Sequence, residues 1–499
     1  MTTTFNPAAR DVTLLEPREQ RDFLNGRWEI PAAIGDTVDD PNTGVARQQQ
    51  TETSAESTER AVAAAAQLHH DGTWAESALG TRVALLDLLA EGLDARVDDL
   101  AYEDALASGS PISFARVMAS SLGPRVRAAR DQCLAVGDSS LLPAGGRHVL
   151  QLRRALGPAA ILAPWNAPTF VGVAKTASAL AAGCPVILKP SEWAPGGCQI
   201  VAEIVVNTVA QLGLPANVFQ FVHGGATTGS RLTSDPRIRA ICFTGGLRGG
   251  QAIAAAAAPH FTAVQLELGG HNPVVILPDA DIEQTAAGLA EGMTKLNGTW
   301  CEGPGRILVP DELHDDLVDA LTTELRSVQV GHCLDEESGL GPQAYAQQRI
   351  RLQDQIDQLV GAGGEAITTA TLPDAGGWFF SPTVVVGLAA AESTHELFGP
   401  AVTVHRTGSV EEAVAAAHGP QTGLAGYVFG QDVDAALTVA SRIIAGEVKV
   451  NGCKLDDLAA GAEQSFWNNA GVGGHGPTEM VRFFQGRRVV GVDDPSLAM

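Results

Sequence analysis

The sequence predicts an α/β protein built on parallel sheets, and three observations carry that prediction. Five short apolar runs, at 159–163, 185–188, 218–222, 238–243 and 264–268, alternate with helical stretches. Strands that are apolar on both faces and separated by helices pack as a parallel sheet covered on either side. A second alternation begins at residue 272, with strands at 272–276, 306–309, 383–386, 401–405, 425–429 and 447–450. Length is the third observation, because 499 residues exceed what one core organises, so two or three domains are expected.

Composition narrows the class. Hydrophobic residues make up 45% and charged residues 18%, the balance of a globular chain. A formal net charge of −24 argues against nucleic acid and against an anionic membrane surface, both of which attract basic patches. The longest apolar runs, such as 252–258, fall far short of the roughly 20 residues a membrane span needs. The N-terminus has no basic region followed by an apolar one, so no secretory signal is expected. Cys133, Cys184, Cys198, Cys242, Cys301, Cys333 and Cys453 are irregularly spaced, with no CxxC pair and no Cys/His cluster. No metal site is expected, and free thiols suit a cytoplasmic location.

In chain order, residues 1–20 read as a polar arm, and 23–28 as a strand and turn around Asn25-Gly26. Residues 36–54 are polar around a turn at Pro41-Asn42-Thr43-Gly44. Helical patterns cover 57–70, 79–108 and 113–135, with Gly109 and Pro111 between the last two. Alternation at 148–154 suits a half-exposed strand. Helices at 167–182, 196–212, 227–233 and 250–258 separate the first set of strands, and helices at 282–295, 313–328, 343–359 and 410–417 fall in the second block. The Gly/Ala/Asn-rich stretch 459–476 reads as loop, and 487–492 as a last strand.

Chemistry concentrates in a few motifs. Cys301 lies in Asn297-Gly298-Thr299-Trp300-Cys301-Glu302-Gly303, a glycine-rich loop just ahead of a strand, where a substrate can reach it. A lone cysteine is more often a small buried hydrophobe, so its companions must argue the case. Glu267 puts a carboxylate at a strand end beside Gly269-Gly270. Asn166 sits between Pro164 and Pro168 in a stiff turn. Lys189, one of only five lysines, ends a buried strand where it could reach ribose or phosphate oxygens. Phe243-Thr244-Gly245-Gly246 leads from a strand into a helix, whose N-terminus favours an anion such as pyrophosphate. The GxGxxG dinucleotide fingerprint is absent.

Taken in order, Pro164-Trp165-Asn166-Ala167-Pro168, Lys189-Pro190-Ser191-Glu192, Phe243-Thr244-Gly245, Glu267-Leu268-Gly269-Gly270, the Cys301 loop and Glu396-Leu397-Phe398-Gly399-Pro400 resemble the aldehyde dehydrogenase superfamily over nearly the whole chain. The resemblance implies a Rossmann-like cofactor-binding domain (1–136 and 155–266), an α/β catalytic domain (267–476) and a small β oligomerisation arm (137–154 and 477–499). It implies that Cys301 is the nucleophile toward an aldehyde, giving a thiohemiacetal and then a thioester. Asn166 and the Cys301 backbone N–H would form the oxyanion hole, and Glu267 would activate the hydrolytic water. Lys175 matches a buried lysine used by some members in proton relay. Trp165, Lys189, Glu192, Gly225, Phe243, Thr244, Gly245, Gly246, Leu268, Glu396 and Phe398 match the cofactor cleft. A carboxylate at 192 would repel a 2′-phosphate, so NAD is preferred over NADP. The arm implies a homodimer or homotetramer, formed by strand addition to a neighbouring subunit.

The chain also departs from the pattern. Gly246 replaces the usual serine, leaving backbone N–H groups and Arg248 to meet the pyrophosphate. Glu302 follows the nucleophile where Thr, Ser or Cys is common, and an adjacent carboxylate disfavours a thiolate. Asn468 to Gly474 replaces a Gly-Gly-x-Lys motif, and 451–466, which borders the substrate entrance, is a few residues longer. If Glu302, Asp456 and Asp457 face the tunnel, a cationic amino-aldehyde is favoured. Trp300 instead suits an aryl or alkyl aldehyde. Two other functions stay open: a coenzyme A-acylating member, which Glu267 argues against, and an inactive structural paralogue, which intact Cys301, Glu267 and Asn166 argue against.

Overall fold

The computed structural model describes residues 16–419, 422–459, 461–476 and 479–495. Most of the polar arm predicted at 1–20 lies outside the described residues, as do 477–478 and 496–499 of the tail.

The first alternation forms an eight-stranded sheet. Its parallel centre runs Phe219–Phe221, Val186–Lys189, Ala159–Leu162, Ala240–Gly245, Ala263–Leu268. Ala159–Leu162 and Val186–Lys189 are buried throughout, which explains their unbroken apolar sequence. The chain starts at Ala159–Leu162 and builds outward in one direction. It then returns to lay Ala240–Gly245 on the other side. That reversal is a topological switch point, where the carboxyl ends of two neighbouring strands diverge and leave a crevice. The hairpin Asp22–Leu24 and Arg27–Glu29 adds to one edge, turning through Asn25 (φ 49°) and Gly26 (φ 83°).

The second alternation forms a seven-stranded sheet in the order Glu365–Thr368, Thr383–Val386, Ala401–Thr407, Pro304–Pro310, Asn272–Ile276, Ala425–Phe429, Glu447–Val450. All its pairings are parallel except that of the outermost Glu365–Thr368. A third sheet of three antiparallel strands places Val149–Ala155 between Ser139–Leu141 and Gln485–Gly491. The strands predicted at 148–154 and 487–492 therefore pair with each other, in a seven-residue register from Gln485↔Ala155 to Gly491↔Val149. Among the described residues no helix is long and apolar enough to cross a membrane.

Several expectations need correction. The helical stretch 79–108 is two helices, Leu79–Asp94 and Val97–Ser108, broken at Arg96 (φ −123°). The stretch 113–135 is likewise divided into Ile112–Ser120 and Leu122–Val136. The polar region 36–54 carries a hairpin, Ala32–Asp39 with Ala46–Glu52. The stretch 459–476 is not wholly loop, since Gly471–Val472 pairs antiparallel with Ala263–Leu268 and closes the first sheet. A Cβ on Gly471 would lie 1.7 Å from the Leu266 carbonyl oxygen, so only glycine fits.

Candidate active site

Cys301 is held by the loop between the short helical turn Lys295–Gly298 and the strand Pro304–Pro310. The loop is fixed from both sides. Asn297 is fully buried in a left-handed conformation (φ 56°). Its Oδ1 accepts from Gly341 N (2.8 Å), its Nδ2 donates to Pro342 O (2.9 Å), and its carbonyl accepts from Gln343 Nε2 (3.1 Å). Gly298 (φ 73°) passes so close to the 396–400 segment that a Cβ would sit 2.2 Å from Gly399 C and Pro400 N. Asn272 Nδ2 donates to both the Cys301 and Gly303 carbonyls (2.9 Å each), and Tyr427 OH donates to the Glu302 carbonyl. Sequence reasoning gave no role to Asn272. Its only local signal is an amide five residues beyond Glu267, at the start of a buried strand.

Cys301 Sγ lies 3.8 Å from Glu267 Oε1. The other Glu267 oxygen is 3.5 Å from Thr244 Oγ1 and 3.9 Å from Lys175 Nζ. Lys175 is buried and donates to Gln265 Oε1 at 2.8 Å. Asn166 Nδ2 donates to the Thr299 carbonyl at 2.7 Å, two residues before the thiol. Four residues singled out in separate parts of the sequence thus converge on one thiol.

Two cavities meet there, and Asn166, Thr244, Glu267 and Cys301 line both. The larger, about 600 Å³, opens at the switch point of the first sheet. Lys189, Glu192 and Gly225 line one end of its wall; Phe243, Thr244, Gly245 and Gly246 lie along it; Trp165, Leu268, Glu396 and Phe398 complete it. Every residue matched to the cofactor cleft is therefore on this cavity. Arg248 is not; it is exposed and does not line it. Aromatic residues the sequence had not marked also contribute. Tyr345 stacks on Trp193 (4.4 Å between centroids) and meets Trp165 edge-on (5.3 Å).

The smaller cavity, about 250 Å³, is walled by Met118, Phe170, Val171, Trp300 and Met480. Glu302, Asp457 and Lys175 also reach it, but Asp456 does not. Arg125, unmarked in the sequence, lines it with its guanidinium 3.6 Å over the Phe170 ring. Trp300 is backed by two lysines, Lys295 Nζ at 5.2 Å and Lys449 Nζ at 6.0 Å from its ring centre. Lys449 also bonds the Lys454 and Asp456 carbonyls (2.6 and 2.9 Å) and Glu447 (3.0 Å); Lys454 pairs with Glu291 at 2.8 Å. All five lysines thus serve the two cavities or the 453–457 loop beside them.

Burial dominates the electrostatics. It pushes the Cys301 thiol well above its ordinary value, and Glu267 and Glu302 push it further. The resting sulfur is a thiol that needs a base. Glu302 is raised to about 8 by burial and by the Glu267 charge, and Glu396 to about 7 by burial. Burial thus favours the protonated form of both, Glu302 more than Glu396. Burial also lowers Lys189, whose Nζ donates to the Gly224 carbonyl (2.5 Å) and the Pro190 carbonyl (2.9 Å).

Comparison with known proteins agrees with this geometry. The model of the aldehyde dehydrogenase family matches residues 36–489. A geranial dehydrogenase of Castellaniella defragrans is 30% identical over 439 residues, covering 87% of this chain and 91% of that one. The crystal structure of a cysteine-to-alanine mutant of aldehyde dehydrogenase C from Pseudomonas syringae, complexed with NAD+ and octanal, superposes with a TM-score of 0.87 at 29% identity, covering 95% of this chain and 96% of that one. Betaine aldehyde dehydrogenase from Staphylococcus aureus in complex with NAD+, 24% identical, shares the fold with a TM-score of 0.88, covering 96% of each chain. With the family match spanning most of its length and the site motifs gathered round one thiol, the chain belongs to the aldehyde dehydrogenase family.

Proposed function

We propose that this protein oxidises an aldehyde to its carboxylic acid with NAD, through a thiohemiacetal and then a thioester on Cys301. The observation that carries the reading is the meeting of two cavities at a thiol 3.8 Å from a carboxylate.

The larger cavity fits a dinucleotide. Lys189 and Glu192 supply a donor and acceptors at one end. Gly246 opens the helix Leu247–Ala257 with nothing within 4 Å of a would-be Cβ, which leaves room for an anion at the helix N-terminus. Glu396 closes the end nearer the thiol loop. Its Oε1 accepts from Gly270 N at 3.2 Å. The chemistry NAD supplies when bound is acceptance of the aldehyde hydrogen with its two electrons.

The protein's own groups do the rest. Cys301 Sγ attacks the carbonyl carbon, and its proton passes to Glu267. The second N–H of Asn166 Nδ2 and the Cys301 backbone N–H, which lies against its own sulfur, would stabilise the developing oxyanion. Glu267 releases its proton before hydrolysis, then takes one from the water that attacks the thioester. The Cys301 sulfur leaves as the thiol, with the acid as product.

The smaller cavity takes the substrate. Its apolar wall suits a hydrophobic aldehyde, the class to which the geranial and octanal of the two relatives belong. Burial pushes Glu302 toward its protonated form and Asp456 is off the wall, so of the three carboxylates Asp457 is left to meet a cationic amino-aldehyde. The three-stranded sheet, with Gln485–Gly491 at its edge, serves assembly into a homodimer or homotetramer.

The test is NADH absorbance with the protein, NAD and a panel of alkyl, aryl, amino and semialdehyde substrates. Alkyl or aryl aldehydes give turnover, and Cys301→Ala loses it while still binding NAD. Retained oxidation in that variant, or turnover only with coenzyme A, rejects the proposal.

A further inference from the structure

Away from both cavities, the three-stranded sheet carries a cluster the proposed reaction does not use. A cavity of about 300 Å³ is lined by Ser140, Leu142, Gln151, Arg153, Arg482, Gln485 and Arg487. Three of the seven are arginines and none is a carboxylate, in a chain whose net charge is −24.

The backbone forces two of these arginines together. Arg153 and Arg487 are direct cross-strand partners in the antiparallel register. Side chains so placed have Cβ atoms roughly 5 Å apart on one face, and like charges there repel. Their partners are few. Arg153 Nη2 donates to Ser140 Oγ at 3.2 Å, while its Nη1 is buried with no hydrogen-bond partner. The Arg487 side chain has no ion pair or hydrogen bond among the described residues, although its backbone pairs with that of Arg153. Arg482 has only a 3.9 Å contact with Glu479 Oε1, a residue outside the cavity lining. A buried guanidinium N–H without an acceptor costs stability, and the repelling cross-strand pair adds a smaller cost. One multiply charged oxyanion between the three would remove both costs, because a planar guanidinium meets phosphate oxygens two at a time.

We propose that this arginine cavity is a binding site for a doubly charged oxyanion of the phosphate class, separate from the aldehyde site. Its occupant stabilises the three-stranded sheet by joining Arg153, on the central strand, to Arg487 on the edge strand and to Arg482, which lies just before that strand.

The experiment is calorimetric titration of the full chain with inorganic phosphate and, separately, with glycerol phosphate. Saturating NAD is present throughout, so that the cofactor cleft is filled. The expected result is saturable binding of one anion per chain, weakened about tenfold or more in Arg153→Gln and in Arg487→Gln. The phosphate-induced rise in Tm shrinks in the same variants at the same phosphate concentration. Arg487 is exposed in the single chain, so its variant keeps the test valid should Arg153→Gln fold poorly. Tighter binding of inorganic phosphate identifies a free anion, and tighter binding of glycerol phosphate a phosphate monoester. Absence of saturable binding, or equal binding in the variants, overturns the proposal. So does a change of oligomeric state in Arg487→Gln without phosphate binding in the parent, which would give the cluster to acidic side chains of a second copy.

Discussion

Glu302 stands next to the reactive sulfur and is raised from 4.5 to about 8 by burial and by Glu267. Between those two pH values the folded protein keeps a proton that the unfolded chain has released. Its contribution is therefore fully present below pH 4.5 and is lost as pH rises through about 8. Glu302→Gln removes that loss. Its Tm should exceed the parent's by roughly 2–4 °C or more at pH 8 and by less at pH 5. The same change should speed alkylation of Cys301 by iodoacetamide above pH 8, because a charge that raises the thiol is gone. An alkylation rate identical to the parent's would separate the two groups electrically. Cys301 and Glu267 were legible in the sequence because each sits in an unusual local setting of glycines at a strand end. Asn272 and Asn297 were not. They bond backbone atoms brought near only by folding, as when Asn297 reaches residues 341–343.

At the level of elements, the thiol loop and the 396–400 segment are locked by contact of backbone on backbone at Gly298. Gly298→Ala meets Gly399 and Pro400 at 2.2 Å and also strains a φ of 73°. It should cost at least about 3 kcal/mol in denaturant unfolding and abolish oxidation. Gly145→Ala is the control, since its φ of 60° is also positive but nothing lies within 4 Å of the new Cβ. It should cost only about 1–2 kcal/mol. Equal losses would show that conformation alone, and not the packing of the two segments, sets the requirement. The strands of both large sheets could be read from sequence because burial on both faces leaves an unbroken apolar run. The hairpin Ala32–Asp39 with Ala46–Glu52 could not, because it is largely solvent-exposed and shows no apolar alternation. The break at Arg96 was equally hidden, as no Gly or Pro marks it.

For the whole molecule, the larger cavity draws its wall from loops of both large sheets, with Lys189 and Glu192 on one and Glu396 and Phe398 on the other. A ligand filling it would tie the two together. NAD at about 100 times its Kd should stabilise the protein by about 2.7 kcal/mol, read as a rise in Tm. Glu192→Ser should lower the ratio of kcat/KM for NAD over NADP by about tenfold, because a carboxylate no longer meets the 2′-phosphate. An unchanged ratio would place cofactor choice elsewhere. The arrangement of two α/β blocks was readable from the order of strands and helices. Gly471–Val472, which completes the first sheet from the far end of the chain, was not. It lies in a glycine-rich stretch whose strand character comes from its neighbour and not from its own side chains.

The lysines have a practical consequence. Lys175, Lys189 and Lys449 are buried, and the Lys295 side chain is only 9% exposed, whereas that of Lys454 is 74% exposed. An amine-reactive dye applied to the native protein should therefore label one side chain per molecule. That side chain sits on the loop beside the smaller cavity, so the protein carries a built-in lysine handle for a fluorophore that would report when that loop moves.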